Sequence, residues 1–187
     1  MTDHALAETR AWVERAVIGL QLCPFAKAPQ VKGQVRYVAS DAVDADDLLS
    51  ALVDELRLLA ATPADRIETT LLVHPCVFAE FEDHNDFLAI AEAALVALDL
   101  EGVIQIASFH PQYRFAGSEP DDIANATNRS PHPTLHLLRE DSIERALATF
   151  ANPDSIFLAN IATMERLGHE GWAALMRQWR DAADREG

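Results

Sequence analysis

The strongest constraint on this chain is a repeated switch between two hydrophobic periods. Residues 34–39 (QVRYVA) alternate like a half-buried strand. Residues 44–61 change to helical spacing through Leu48, Leu52, Leu56 and Leu59, and Thr62-Pro63 ends that segment. Residues 67–73 (IETTLLV) read as a second strand, and the run Leu71-Leu72-Val73 predicts burial on both faces. A helix over 83–99 follows, with Gly102 as its stop, and then a third strand over 103–109 (VIQIASF). Strands separated by helices of this length favour parallel pairing through right-handed crossovers.

The flanks are helical. Leu6, Trp12, Val13, Ala16, Val17 and Leu20 predict a helix over 3–22, stopped by Cys23-Pro24. Thr134–Leu138 reads as a fourth strand, and Asp141 with Glu144 forms a capping-box pattern for a helix over 142–150. Asn152-Pro153 opens another helix, which Gly168 stops. The last runs over about 171–184, with Trp172, Leu175, Met176 and Trp179 on one side, facing either the core or a second subunit. The expected fold is therefore α/β. It is a single domain over 1–187, with a mostly parallel four-stranded sheet flanked by helices and a helical C-terminal segment. An α+β sandwich with one antiparallel edge is the alternative.

Charge narrows the function. A net charge of −15 on 187 residues argues against general binding to nucleic acid or to an anionic membrane, since both need a basic face. No apolar run approaches the ~20 residues that span a bilayer, and the polar N-terminus lacks the pattern of a secretion signal. The expected compartment is cytoplasmic, where Cys23 and Cys76 would be reduced thiols.

Residues 109–141 (FHPQYRFAGSEPDDIANATNRSPHPTLHLLRED) hold three histidines, three arginines and four of the nine prolines. A connection as long as 110–133 is usually functional or disordered, and Tyr113, Phe115 and Ile123 give this one apolar anchors. Ligands of open parallel sheets bind beyond the carboxyl ends of the strands. There two strands end in the same word, His74-Pro75 and His110-Pro111, and the fourth strand is expected to bring Arg139, Glu140 and Asp141 to that edge. His74, His110 and Tyr113 are the candidate catalytic residues. Asn128, Arg129 and Arg139 are the candidate substrate contacts, because guanidinium grips carboxylate or phosphate with two prongs. The same arginines could instead brace the loop internally.

His74, His110 and Cys76 could also ligate zinc or iron, though hydrogen bonds from each histidine to nearby backbone are the plainer reading. Cys23, at a helix end, is either a reactive thiol or a small packed residue. His136 reads as a satisfied interior histidine, and His4, His84 and His169 read as surface. Standard glycine-rich phosphate loops, nucleophile elbows and HExxH zinc motifs are absent from the sequence.

The words Gly19-Leu20-Gln21-Leu22-Cys23-Pro24-Phe25-Ala26, His74-Pro75, Phe109-His110-Pro111-Gln112-Tyr113 and Asn125-Ala126-Thr127-Asn128-Arg129-Ser130-Pro131 resemble an uncharacterised bacterial family, domain-of-unknown-function family 1415. The resemblance spans about Trp12 to Gly168. It implies a single-domain cytoplasmic protein and names no activity. The family's recurring words fall on Cys23, Pro24, His74, His110, Tyr113, Asn128, Arg129, His136, Arg139 and Glu140. His132 departs from the family's pattern.

Three functions remain open on the sequence. The first is an enzyme acting on an anionic small molecule at a His/Arg edge, with or without a metal. The second is a metal-free binder of a phosphorylated or carboxylated ligand. The third is a protein-interaction module presenting the 110–133 loop. No nucleic-acid or membrane partner is expected, and the oligomeric state is open.

Overall fold

A computed structural model describes residues 2–148, 152 and 154–186. Its elements, in order, are α1 (Thr2–Trp12), a π-helical turn (Val13–Ile18), α2 (Lys27–Val31), β1 (Val35–Ala39), α3 (Ala45–Ala61), β2 (Thr69–Val73), α4 (Phe81–Ala97) and β3 (Ile104–Phe109). They continue with a 3₁₀ helix (Ile123–Asn128), β4 (Thr134–Arg139), α5 (Glu140–Leu147) and α6 (Asp154–Glu186).

Local chemistry sets most of these bounds. Asp44 caps α3 by accepting from the Asp47 N–H at 2.9 Å. Helix α4 ends two residues before Asp99, whose φ of 57° turns the chain while the Leu100 N–H returns to the Leu95 carbonyl at 2.9 Å. Gly168, at φ 63°, breaks α6 where the sequence places a stop. The capping box expected at Asp141 is not formed. Helix α5 begins at Glu140, and the Asp141 carboxylate pairs instead with Arg145 one turn on, at 2.7 Å. The end of the predicted 142–150 helix and the proline start at Pro153 lie outside the described residues.

The sheet departs from the expected one. Strand order is β1-β2-β4-β3, with β1 parallel to β2 and β4 antiparallel to both β2 and β3. Only one of the three pairings is parallel, so the mostly parallel sheet is corrected to a mixed one. The reason is the 110–133 connection. It turns the chain back on itself, so that β4 enters between β2 and β3 in the opposite sense. Strands β2 and β3 still point the same way, but they are second neighbours.

Helices cover both faces of the sheet. On one face α3 and α4 pack Leu48, Leu52, Leu56, Phe87 and Leu95 against Leu72, Ile104, Leu135 and Leu137. On the other, α1, the π turn and α6 pack Trp12, Val13, Ala16, Met164, Trp172 and Trp179 against Tyr37, Leu71 and Phe109. Both C-terminal tryptophans are therefore core residues, their rings edge to face at 5.3 Å. Among the described residues, no helix is long and apolar enough to cross a membrane.

Candidate functional site

The carboxyl edge of β2 and β3 does bring His74 and His110 together, with a third imidazole between them. His84, on the first turns of α4, stacks on His74 at 5.2 Å and lies 5.2 Å from His110. All three residues are wholly buried, which corrects the surface position expected for His84. Helix α4 explains the difference. His84 falls on the same face as Phe87, Ala91 and Ala94, and that face packs onto the sheet.

His74 and His110 brace the backbone rather than line an open edge. His74 Nδ1 lies 3.2 Å from the Val77 carbonyl, and His110 Nε2 lies 3.1 Å from the Phe78 carbonyl. His110 Nδ1 accepts from the Gln112 N–H at 3.0 Å, which fixes its proton on Nε2. The 75–80 turn, strained enough to hold Phe78 at φ 58°, is thus pinned by both strand-end histidines. Burial pushes the His74 imidazole down to about 4 and that of His84 to about 3, and it lowers His110 too. His74 Nε2 and both nitrogens of His84 have no hydrogen-bond partner.

The proposed metal set does not converge. Cys76 is exposed, beyond the sealed rings. Both His110 nitrogens are committed to backbone groups, and the near-parallel stack of His74 on His84 does not aim two lone pairs at one point. Among the described residues, no group of three or more His, Cys, Asp or Glu is arranged to hold a metal ion.

The arginines of the expected site are also turned inward. Arg129 donates to the carbonyls of Tyr113 at 3.2 Å and Pro120 at 2.7 Å, bracing the long connection. Buried Asn125 does the same work, accepting from the Phe115 N–H and Ser118 hydroxyl and donating to the Glu119 carbonyl. Burial raises the Tyr113 phenol above its ordinary range, against the opposing pull of the nearby Asn128 side chain. A hollow of about 370 Å³ lies against the loop, lined by Phe81, Gln112, Arg114 and Arg129 among others. Its exposed Arg114 already faces Glu82 at 3.5 Å.

Arg139 stands at the opposite end of the sheet from the histidines, because β4 runs antiparallel to β2 and β3. It is paired with Ile104, the first residue of β3. The sequence expectation that it shares their edge is therefore corrected. Its Nε and one terminal nitrogen donate to the carbonyls of Ile67, Leu59 and Thr62, which closes the C-terminus of α3. Its Nη1 has no partner among the described residues.

Arg139 nevertheless borders a second cavity, away from the three clustered histidines. This space, about 480 Å³, lies on the face of the sheet covered by α1 and α6. Those helices do not reach the end of the sheet where β2 starts and β4 finishes. There the roof is α2, the Cys23–Ala26 turn and the start of α5, which supplies Ser142 and Ile143. The π turn contributes Val13 and Val17. A Cβ on Gly19 would run into the Arg15 carbonyl, and Gln21 sits at φ 57°, so the chain doubles back and delivers Cys23 to the cavity wall.

The cavity is graded from end to end. Trp12 and Phe109, 5.2 Å apart and edge to face, form its apolar floor. Lys32, Gln34, Glu68, Arg139 and Ser142 ring the other end. His136 lies in the wall between, and Cys23 also lines the cavity. On β4, His136 is two residues from Leu138, about 7 Å down the strand from the rim.

Thr69, diagonal to His136 on the neighbouring strand β2 and paired with Leu138, fixes the ring of His136. The Thr69 hydroxyl donates to the Leu137 carbonyl at 2.7 Å, so it accepts from His136 Nε2–H, also at 2.7 Å. His136 Nδ1 is then the unprotonated nitrogen, and it has no hydrogen-bond partner among the described residues. Desolvation takes this imidazole down to about 4, so it is neutral at pH 7. The Cys23 thiol is raised above its ordinary range by burial, which outweighs the pull of the Phe25 and Ala26 N–H groups facing the sulfur.

With this geometry in place, comparison with known proteins gives one match. The family model described as Protein of unknown function (DUF1415) matches residues 4–174. The chain belongs to this family. No curated protein and no solved structure matches the chain.

The expected site residues thus divide. Cys23 and Arg139 border the cavity, while His74, His110, Tyr113, Asn128, Arg129 and Cys76 do not. Sequence reasoning passed over His136 and missed Lys32, Gln34, Glu68 and Thr69. One signal for two of them was available. Thr69 and His136 are polar residues in strands that are mostly buried, and alternation puts each on the face opposite Leu72, Leu135 and Leu137.

Proposed function

We propose that this protein is a small-molecule enzyme whose substrate occupies the cavity between the sheet and the α1–α2 segment. The substrate has an apolar body, which lies against Trp12, Leu71 and Phe109, and an anionic head, which faces Lys32 and Arg139. His136 transfers the proton through Nδ1. The observation that carries this reading is the cavity's gradation, from an apolar floor past a tautomer-fixed imidazole to a rim with unpaired cations. Small-molecule sites have this make-up: mostly apolar lining, a few placed polar groups and a volume of several hundred Å³. The Lys32 ammonium makes no ion pair or hydrogen bond among the described residues, and Arg139 keeps Nη1 free. Among the described residues lining the rim, Glu68 is the one anionic group, against Lys32 and Arg139.

The reading keeps the substrate class expected from the sequence, an anionic small molecule, and moves it from the histidine edge to the opposite end of the sheet. It needs no metal. It fits a cytoplasmic setting, in which both thiols stay reduced.

Thermal shift tests it. Medium-chain alkyl sulfates, alkyl phosphates and carboxylates should raise the melting temperature. Alcohols of equal length and inorganic phosphate should raise it less. A ligand at a hundredfold excess over its Kd stabilises by about 2.7 kcal/mol, or roughly 5–10 °C for a chain of this size. Lys32→Glu should remove most of the preference for the anion. Equal shifts from alcohols and anions, or shifts unchanged when Leu138→Phe fills the cavity, would overturn the reading.

A further inference from the structure

The cavity wall holds one polar group whose hydrogen-bonding state the fold fixes. The Thr69 hydroxyl is committed to the Leu137 carbonyl, so His136 gives it Nε2–H and keeps Nδ1 as a bare acceptor. Strand β4 lies inside the sheet, between β2 and β3, yet His136 stays partly accessible, and the space on its face is the cavity. We propose that this acceptor selects ligands by a hydroxyl: the cavity takes a hydroxylated amphipathic anion whose O–H, set back along the chain from the charged head, donates to His136 Nδ1. This deepens the reading of the cavity given above and rests on it.

Position, orientation and charge support it. His136 sits between the floor at Trp12 and Phe109 and the rim at Lys32 and Arg139, about 7 Å down the strand from Leu138. A chain that spans the cavity therefore passes the imidazole between its apolar end and its head. The ring is held on one edge by Thr69 at 2.7 Å and flanked by Phe109, with the two centroids 6.1 Å apart. Moving the proton to Nδ1 would force the Thr69 hydroxyl to donate to Nε2 and abandon the Leu137 carbonyl. Burial takes the imidazole down to about 4, so at pH 7 Nδ1 offers a lone pair and no proton.

Selection follows from what each ligand leaves unpaired. A plain alkyl chain that fills the cavity shuts water away from Nδ1 and leaves an acceptor without a donor, which costs more than one hydrogen bond is worth net. A hydroxyl at the matching carbon restores the bond. A keto group at that carbon sets lone pair against lone pair and binds worse than either. A site built to hydrogen-bond a hydroxyl rejects the analogue lacking it far more sharply than an apolar pocket sorts chains by length. Thr69 is a positioning residue in this scheme, because it acts on the ligand through the imidazole.

The test uses the full chain and calorimetric titration at pH 7. The probes are dodecanoate, hydroxydodecanoates with the hydroxyl at successive carbons, and the matching oxododecanoates. The expected result is an interior hydroxyl position that binds roughly tenfold tighter than dodecanoate, with the oxo compound of that position weaker than both. A hydroxyl beside the carboxylate or at the far end of the chain should give no gain. His136→Phe should abolish the preference for the hydroxyl. Thr69→Val frees the tautomer and should bring the hydroxy-to-oxo affinity ratio toward one, whereas damage to the fold would weaken all the probes alike and leave that ratio where it was.

Equal affinity for dodecanoate and every hydroxy isomer, or an oxo compound that binds as well as its hydroxy partner, would overturn the proposal and leave the cavity reading standing. A hydroxyl preference that survives in His136→Phe overturns it too. If His136→Phe does not fold, the hydroxy-to-oxo comparison in the wild-type chain and in Thr69→Val decides the same point. Failure of every anion to bind sinks both.

Discussion

His84 and His136 are both enclosed imidazoles held well below their ordinary titration range, yet they sit in opposite settings. His84 has neither nitrogen bonded, and it lies wholly buried between two other histidines, stacked on one of them. His136 has one nitrogen bonded to Thr69 and the other left without a partner beside a cavity. Unpartnered buried polar atoms cost stability wherever they are. The His84 nitrogens are buried away from the cavity, whereas the His136 ring lines it. Burial and a lowered pKa do not by themselves distinguish the two, and the position of empty space does.

The largest effect that would test this contrast is acid sensitivity. His74, His84 and His136 titrate in the folded state near 4, 3 and 4, below the 6.5 of a free imidazole. The unfolded chain therefore binds more protons below pH 6.5. Stability is complete above 6.5 and falls as the pH drops toward each folded value, by up to about 1.4 kcal/mol per histidine per pH unit. Urea unfolding at several pH values should show this slope beginning near pH 6.5. A flat profile between pH 7 and 5 would mean that the rings are hydrated in solution.

Arg139→Leu comes next. Removing its guanidinium leaves the Leu59, Thr62 and Ile67 carbonyls short of a donor, for a loss of roughly 3 kcal/mol. A loss below about 1 kcal/mol would show that Arg139 is free for ligand alone.

His84→Phe works in the other direction. An apolar ring of similar shape removes two orphaned nitrogens, so the variant should be more stable at pH 7 by about 1 kcal/mol. Its acid limb should also be shallower, while ligand binding in the cavity stays unchanged. Coupling between His84→Phe and cavity binding would join two regions that the sheet separates.

Leu138→Phe has the smallest effect on stability, within about 1 kcal/mol, because its side chain borders space. Calorimetric titration with a medium-chain alkyl sulfate should nevertheless show binding lost.

Much of this molecule was legible without coordinates. The helix over 44–61 and the strand over 67–73 follow from Leu48, Leu52, Leu56 and Leu59 at one period and Leu71-Leu72-Val73 at another. The meeting of His74 and His110 was also legible, since both follow strands that point the same way. Their use was not. Whether an imidazole at a strand end faces solvent or a carbonyl depends on how the 75–80 turn folds over it, and Phe78 at φ 58° is not written in local propensity. Arg139 was placed at the wrong end because its strand direction depends on where β4 enters the sheet.

The sequence by itself determined the elements, the two helix-covered faces and the apolar material of the core, because hydrophobic periodicity acts between residues a few positions apart. Tertiary structure alone decided the strand order, the sealing of three histidines and the cavity bordered by Cys23 and His136. Those depend on contacts such as Thr69 with His136 and Trp12 with Phe109. Such pairs meet only after the sheet has assembled, and no local pattern specifies which distant side chains share a space or how much of it stays empty.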